Sequence, residues 1–93
     1  KSEFFTEIKL KQNFPNPFNP TTSISFEIYR TSHVSLRIYD LMGREVEVLL
    51  NKYIAKGQYE FSFEATNLVT GTYILRLKTN NGVIKSKKMT LIK

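Results

Sequence analysis

The chain contains no cysteine, which excludes disulfide staples, thiol nucleophiles and thiolate metal sites. Asp40 is its only aspartate and His33 its only histidine, so groups able to converge on a reaction are scarce. No stretch approaches the roughly 20 apolar residues of a membrane-crossing helix, and the longest aliphatic run is Val48-Leu49-Leu50. Membrane insertion is therefore not expected. Acidic residues are missing altogether from residues 65–93. Lys1-Ser2-Glu3-Phe4-Phe5 runs into charge instead of an apolar core, and no initiator methionine is present. The expectation is a mature product or a piece excised from a longer protein.

What is present is one small domain. Ninety-three residues, 41% hydrophobic and 24% charged, match the balance of an ordinary globular chain and are too few for two cores. A disordered tail and a collagen-like segment are excluded on the same numbers.

The dominant period is two. Ile24, Phe26 and Ile28 alternate with polar neighbours, as do Val34, Leu36 and Ile38, then Val46, Val48 and Leu50. Tyr59, Phe61 and Phe63 follow the same rule, and so do Tyr73, Leu75 and Leu77. Runs of this length, rich in β-branched and aromatic residues, are half-buried strands. With a short strand near Ile8-Lys9-Leu10 and a final run from Val83 to Ile92, about seven strands are expected, separated by turns. This predicts an all-β, antiparallel, seven-stranded immunoglobulin-like β-sandwich over residues 8–93, with residues 1–7 a linker that frays. The expected core is Ile24, Phe26, Ile28, Val34, Leu36, Ile38, Val46, Val48, Phe61, Phe63, Tyr73, Leu75 and Leu77.

The breakers sit between the runs. Gly43, Gly57, Gly71 and Gly82 all fall at turns, and Asn80-Asn81-Gly82 predicts a type I′ hairpin before the last strand. All three prolines lie in Pro15-Asn16-Pro17-Phe18-Asn19-Pro20, a stiff lead-in that no central strand tolerates. Its expected role is a clasp closing one end of the sandwich, with Phe14 and Phe18 plugging the core.

Catalytic and ligand-binding classes find little support. No nucleophile elbow surrounds any serine, no His pair or Asp-x-Asp loop offers metal ligands, and no glycine-rich phosphate loop exists. Glu45 and Glu47 read as solvating an outward face. No cofactor is expected. The aromatics share the face of the aliphatics, Tyr29 and Tyr39 excepted, which argues against nucleic-acid binding. Those two tyrosines leave open an accessory adhesion or carbohydrate-binding module of a secreted protein as the alternative.

Charge is unevenly placed. Residues 1–64 carry eight Lys/Arg against all eight acids, whereas Arg76, Lys78, Lys85, Lys87, Lys88 and Lys93 supply the whole net +6. Two readings stand side by side: a basic end read by an acidic receptor, or lysines guarding an edge strand.

The segment from Leu10 to Thr22, built around Asn13-Phe14-Pro15-Asn16-Pro17-Phe18-Asn19-Pro20, resembles the opening of the type A C-terminal sorting domain of the type IX secretion system of Bacteroidetes. Val34 to Val46, including Asp40-Leu41-Met42-Gly43-Arg44, is similar to that family's strand, turn and strand. Gly57-Gln58-Tyr59, Gly71-Thr72-Tyr73-Ile74-Leu75-Arg76-Leu77 and the terminal Lys87-Lys88-Met89-Thr90-Leu91-Ile92-Lys93 continue the resemblance in order. A related immunoglobulin-like domain of flagellar hook-capping proteins shares part of the pattern. The resemblance implies a non-catalytic signal fused behind a cargo protein. It further implies recognition by outer-membrane secretion machinery, trimming by a sortase-like protease, and export through the periplasm to the cell surface or exterior. Lys85, Lys87, Lys88 and Lys93 would be its recognition residues. Pro15, Asn16, Pro17, Phe18, Asn19, Pro20, Gly43, Arg44, Gly71, Tyr73 and Arg76 would be its structural motif.

Overall fold

In the computed structural model, which describes residues 8–93, seven strands form in chain order: β1 (Ile8–Leu10), β2 (Thr21–Ile28), β3 (Ser32–Asp40), β4 (Glu45–Ile54), β5 (Gly57–Glu64), β6 (Gly71–Thr79) and β7 (Ile84–Leu91). They make two antiparallel sheets, ordered β1-β2-β5 and β4-β3-β6-β7. The expected sandwich is present. Its fourth strand pairs with the third, joining the larger sheet, and differs there from the constant-type immunoglobulin grouping, in which the fourth strand extends the first sheet. The 1–7 linker expectation lies outside the described residues.

The alternation read from sequence explains the core. Ile24, Phe26 and Ile28 of β2 face Val34, Leu36 and Ile38 of β3 and Leu75 and Leu77 of β6, all buried. Burying one such side chain contributes about 1.5–3 kcal/mol relative to exposure. Phe63 and Tyr73 are buried as expected, and the interior is completed by residues outside the expected set: Ile8, Leu10, Phe18, Ala65, Met89 and Leu91. Those six belong to short or interrupted patterns, which is why alternation alone did not single them out.

Three expected core positions depart from expectation. Val48 is 42% exposed, and Val46 and Phe61 are only half-buried. For β4 the cause is register. Leu36 opposes Leu50, but the pairing slips so that Val48 opposes the outward Arg37, and it slips again before Tyr39 opposes Glu45. A bulge puts two residues against one and so reverses the faces that follow. The same slips separate Glu45 from Glu47: the first falls opposite outward Tyr39, the second opposite buried Ile38. Both glutamates are exposed, as a solvating role requires, but the slips set them against partners of opposite faces instead of one common outward row. Phe61 is shallow because β5 is an edge strand in a sheet of three.

The two tight hairpins share one solution. Gly43 N–H donates to Asp40 C=O at 3.0 Å and Asp40 N–H to Arg44 C=O at 2.9 Å; Gly82 and Thr79, then Thr79 and Val83, repeat this at 3.0 Å each. Gly43 and Gly82 have φ of 85° and 86°, and no other residue in either turn has positive φ. Each is thus a type I turn closed by a left-handed glycine. The type I′ expectation at Asn80-Asn81-Gly82 is corrected, because that turn needs positive φ at two central residues.

Asp40 ties the first of these turns. Its carboxylate accepts the N–H groups of Met42 and Arg44 and the Arg44 Nε–H, each at 2.9 Å. The Arg44 backbone bond is the main cause holding the carboxyl below its ordinary 3.8, against a smaller upward push from burial. A folded-state value below the unfolded one means that the stabilisation is complete above 3.8 and is lost as pH falls through the folded value. The melting difference between the parent chain and Asp40→Asn should therefore be largest at neutral pH and shrink as pH falls below 3.8. A gap independent of pH would show that the charge contributes nothing.

Candidate functional site

The proline segment and the end of β7 form one structure. β7 is the outer strand of its sheet, so one row of its backbone groups lacks a strand partner. The segment runs along that row. Phe18 N–H donates to Thr90 C=O at 2.9 Å and Ile92 N–H to Phe18 C=O at 3.0 Å, a parallel bridge. Pro15 and Pro17 have no N–H to offer, and the Asn16 side chain replaces it. Its Oδ1 accepts Thr90 N–H at 2.9 Å, and its Nδ2 lies 3.5 Å from Lys88 C=O, which also takes Gln12 Nε2 at 2.7 Å. The side-chain amide does what a peptide group would have done. All three X–Pro bonds of the segment are cis.

The other end of the strap is anchored to β2. Phe14 and Ser23 exchange backbone bonds at 2.9–3.0 Å. Asn13, 1% exposed, donates to Thr22 Oγ1 at 3.0 Å and Pro15 C=O at 3.2 Å, while Thr22 donates to Pro15 C=O at 2.8 Å. Pro20 C=O accepts Ala65 N–H at 2.9 Å. Asn19 is exposed. The strap thus bridges the two sheets across one end. Phe18, 2% exposed, enters the core against Phe63. Phe14 is 79% exposed, so the expectation that both phenylalanines plug the core holds for one of them. Its backbone pairs with β2 and its ring is left outside.

The four lysines do not gather into one patch. On β7, Lys85 and Lys87 share the side of buried Met89 and Leu91, opposite Leu77 and Leu75 of β6, at the open edge of the sheet. There they line, with Lys9 and Tyr29, a depression of about 340 Å³ beside β1. Lys88 points to the outer face, opposite Ile74 of β6. Lys93 folds back: its Nζ donates to Thr66 C=O at 2.8 Å and its N–H to Thr70 Oγ1 at 3.0 Å.

The remaining motif residues shape turns and the sheet face. Tyr73 Oη donates to Val69 C=O at 2.6 Å, the tyrosine corner of immunoglobulin-like sandwiches at the start of the sixth strand. Gly57-Gln58-Tyr59 repeats it, with Tyr59 Oη on Ala55 C=O at 2.6 Å. In both, glycine two residues earlier opens the strand, and Gly57 uses a φ of 151°. Arg76 lies over the Tyr39 ring at 4.3 Å.

A feature missed from sequence is the polarity of the two outer faces. Outward positions of β1, β2 and β5 include Glu27, Glu60 and Glu64 with Lys9. Outward positions of the larger sheet include Arg37, Arg76, Lys78 and Lys88 with Glu45. The charge split by sequence position pointed to the last third of the chain, but Arg37, from β3, joins that group only through strand pairing. Among the described residues no three His, Cys, Asp or Glu side chains gather as metal ligands, and no helix is long and apolar enough to cross a membrane.

Comparison with known proteins agrees with this geometry. Residues 12–93 match the family model described as "Secretion system C-terminal sorting domain". Among solved structures, dimeric latent PorU from Porphyromonas gingivalis is similar over 91% of this chain and 9% of its own, with TM-score 0.72 and 22% identity. A β-glucosidase from Listeria innocua in complex with glucose is similar over 94% of this chain and 16% of its own, with TM-score 0.63 and 13% identity. At such identities these two show the shared fold, and the chain spans only a small part of either protein. No curated protein matches the chain. The family's members are typically non-catalytic signals that send a fused cargo through secretion machinery to the cell surface or exterior. The family match over residues 12–93 spans the strap, the glycine-closed turn after Asp40 and both tyrosine corners, and the chain belongs to the secretion system C-terminal sorting domain family, the sorting signal of type IX secretion.

Proposed function

We propose that residues 8–93 act as a catalytically silent address in which the strap fixes the end of β7 and thereby presents Lys85, Lys87 and Lys88 to the secretion machinery. A sortase-like protease is the partner that then separates cargo from signal. The observation that carries this reading is the joining of the two sequence-distant motifs, Asn13–Pro20 and Lys87–Lys93, into one hydrogen-bonded unit. A receptor reading lysine positions needs them held at fixed spacing, and a strand with its free edge covered supplies that. Lys93, bonded to Thr66 and Thr70, contributes by closing the end of the unit.

The test is export of a reporter fused to residues 8–93 in a host that has the secretion system. Lys87→Ala with Lys88→Ala should trap the reporter in the periplasm. Because Lys88 is exposed and Lys87 half-buried, the pair should change unfolding free energy by no more than about 1 kcal/mol. Normal export of the double variant would reduce these lysines to guards of an edge strand.

A further inference from the structure

The outer face of the β4-β3-β6-β7 sheet carries a feature that folding does not require. Arg37 on β3 stands directly opposite Arg76 on β6. Like charges in direct opposition weaken a sheet, and an outward position accepts many neutral residues at no expense to the core. Arg37 has compensation: its Nη1 donates to the Glu45 carboxylate at 2.6 Å and its Nε to Ser35 Oγ at 2.6 Å. Arg76 has only the Tyr39 ring beneath it, and among the described residues neither it, Lys78 nor Lys88 forms an ion pair with a carboxylate.

We propose that this face, centred on Arg76 and Lys78, docks an extended acidic segment of a protein partner through its carboxylates. The surface lies apart from the strap and from the lysines beside β1 and shares only Lys88 with the sorting reading; centred on Arg76 and Lys78, which that reading does not use, the inference goes beyond it. Three observations favour a peptide. Arg37 already holds one carboxylate, that of Glu45, which shows the chemistry the face accepts. Arg76 and Lys78 lie two residues apart on one strand, hence about 6.8 Å apart in backbone spacing, which is also the repeat of same-face carboxylates on an extended peptide. The cations are interleaved with apolar and aromatic side chains, Tyr39 and Ile74, as at protein interfaces. A shallow depression of about 390 Å³ bounded by Arg37, Arg76, Lys78 and Asn80 gives such a segment a seat.

The experiment uses the 93-residue chain and a labelled peptide of alternating glutamate and threonine, about ten residues long to match β6 at about 3.4 Å per residue. Arg76→Gln with Lys78→Gln should weaken binding at least about tenfold, while Lys9→Gln with Lys11→Gln, the same charge change elsewhere, should stay within about twofold. Circular dichroism and melting check the fold of each variant. Should Arg76→Gln disturb the sheet, Lys78→Glu alone also lowers the charge by two and must give the same ordering. Equal losses in the two charge-matched variants, or no binding by the parent chain, would overturn the proposal. Tighter binding of a sulfated polysaccharide of matched charge at the same face would overturn it too, by making the partner a glycan. Binding is read on the purified chain, so the outcome is independent of whether the export experiment succeeds.

Discussion

Phe26→Ala should lower the unfolding free energy by about 3–5 kcal/mol, the usual loss for emptying a phenylalanine site in a packed core. Phe26 is 2% exposed and its ring stacks on Tyr59 at 5.4 Å and Phe61 at 5.9 Å. Its partners across the strand pairs are Leu10 of β1 and Tyr59 of β5, so it sits at the middle of the smaller sheet. A sheet of three strands, one of them only three residues long, has little means of collapsing into the space. Against the roughly 5–15 kcal/mol that stabilises small domains, such a loss is a large fraction. Denaturant unfolding measures it, and a loss under about 1 kcal/mol would show that this face is not the core.

Phe18→Ala should cost a similar amount, about 3–5 kcal/mol, and act on function as well. The ring is the strap's only buried aromatic side chain, packed at 6.3 Å from Phe63. Its backbone makes two of the bonds that cover β7, to Thr90 and Ile92. Removing the ring should loosen the strap first. Amide exchange should then rise at Thr90 and Ile92 before it rises at Leu36 or Leu75 in the interior. A reporter fused to this variant should export poorly even where the sandwich remains folded. Phe14→Ala is the internal control: its ring is 79% exposed, and the change should stay within about 0.5 kcal/mol. If the two substitutions cost the same, the strap is not seated through Phe18.

Both predictions concern aromatics in simple sequence patterns, yet only one was fully legible there. Phe26 follows from alternation between Ile24 and Ile28. Phe14 and Phe18 look equivalent, each flanked by asparagine and proline, and which of them turns inward depends on how the segment crosses from β2 to β7. Tyr73 was legible as a motif position, but its hydroxyl bond to Val69 and the matching one from Tyr59 to Ala55 appear only when the corners are built. The lysines were legible as an excess of charge. Their division among the β1 depression, the outer face and the Thr66–Thr70 loop was not, because it depends on β1 lying beside the edge of β7 and on Lys93 folding back to Thr66 and Thr70.

Local features follow from the order of residues alone: the number of strands, the inward residues of β2, β3 and β6, and the glycines that close the turns. Side-chain alternation and positive φ depend only on neighbours in the chain, so these features survive without tertiary context. Tertiary structure decided what depends on pairing between distant segments. The slips between β3 and β4 turned Val48 outward, the strap took over the open edge of β7, and Arg37 was set opposite Arg76. Each of these follows from which backbone groups find partners once two sheets close around a shared interior, and no local pattern encodes that choice.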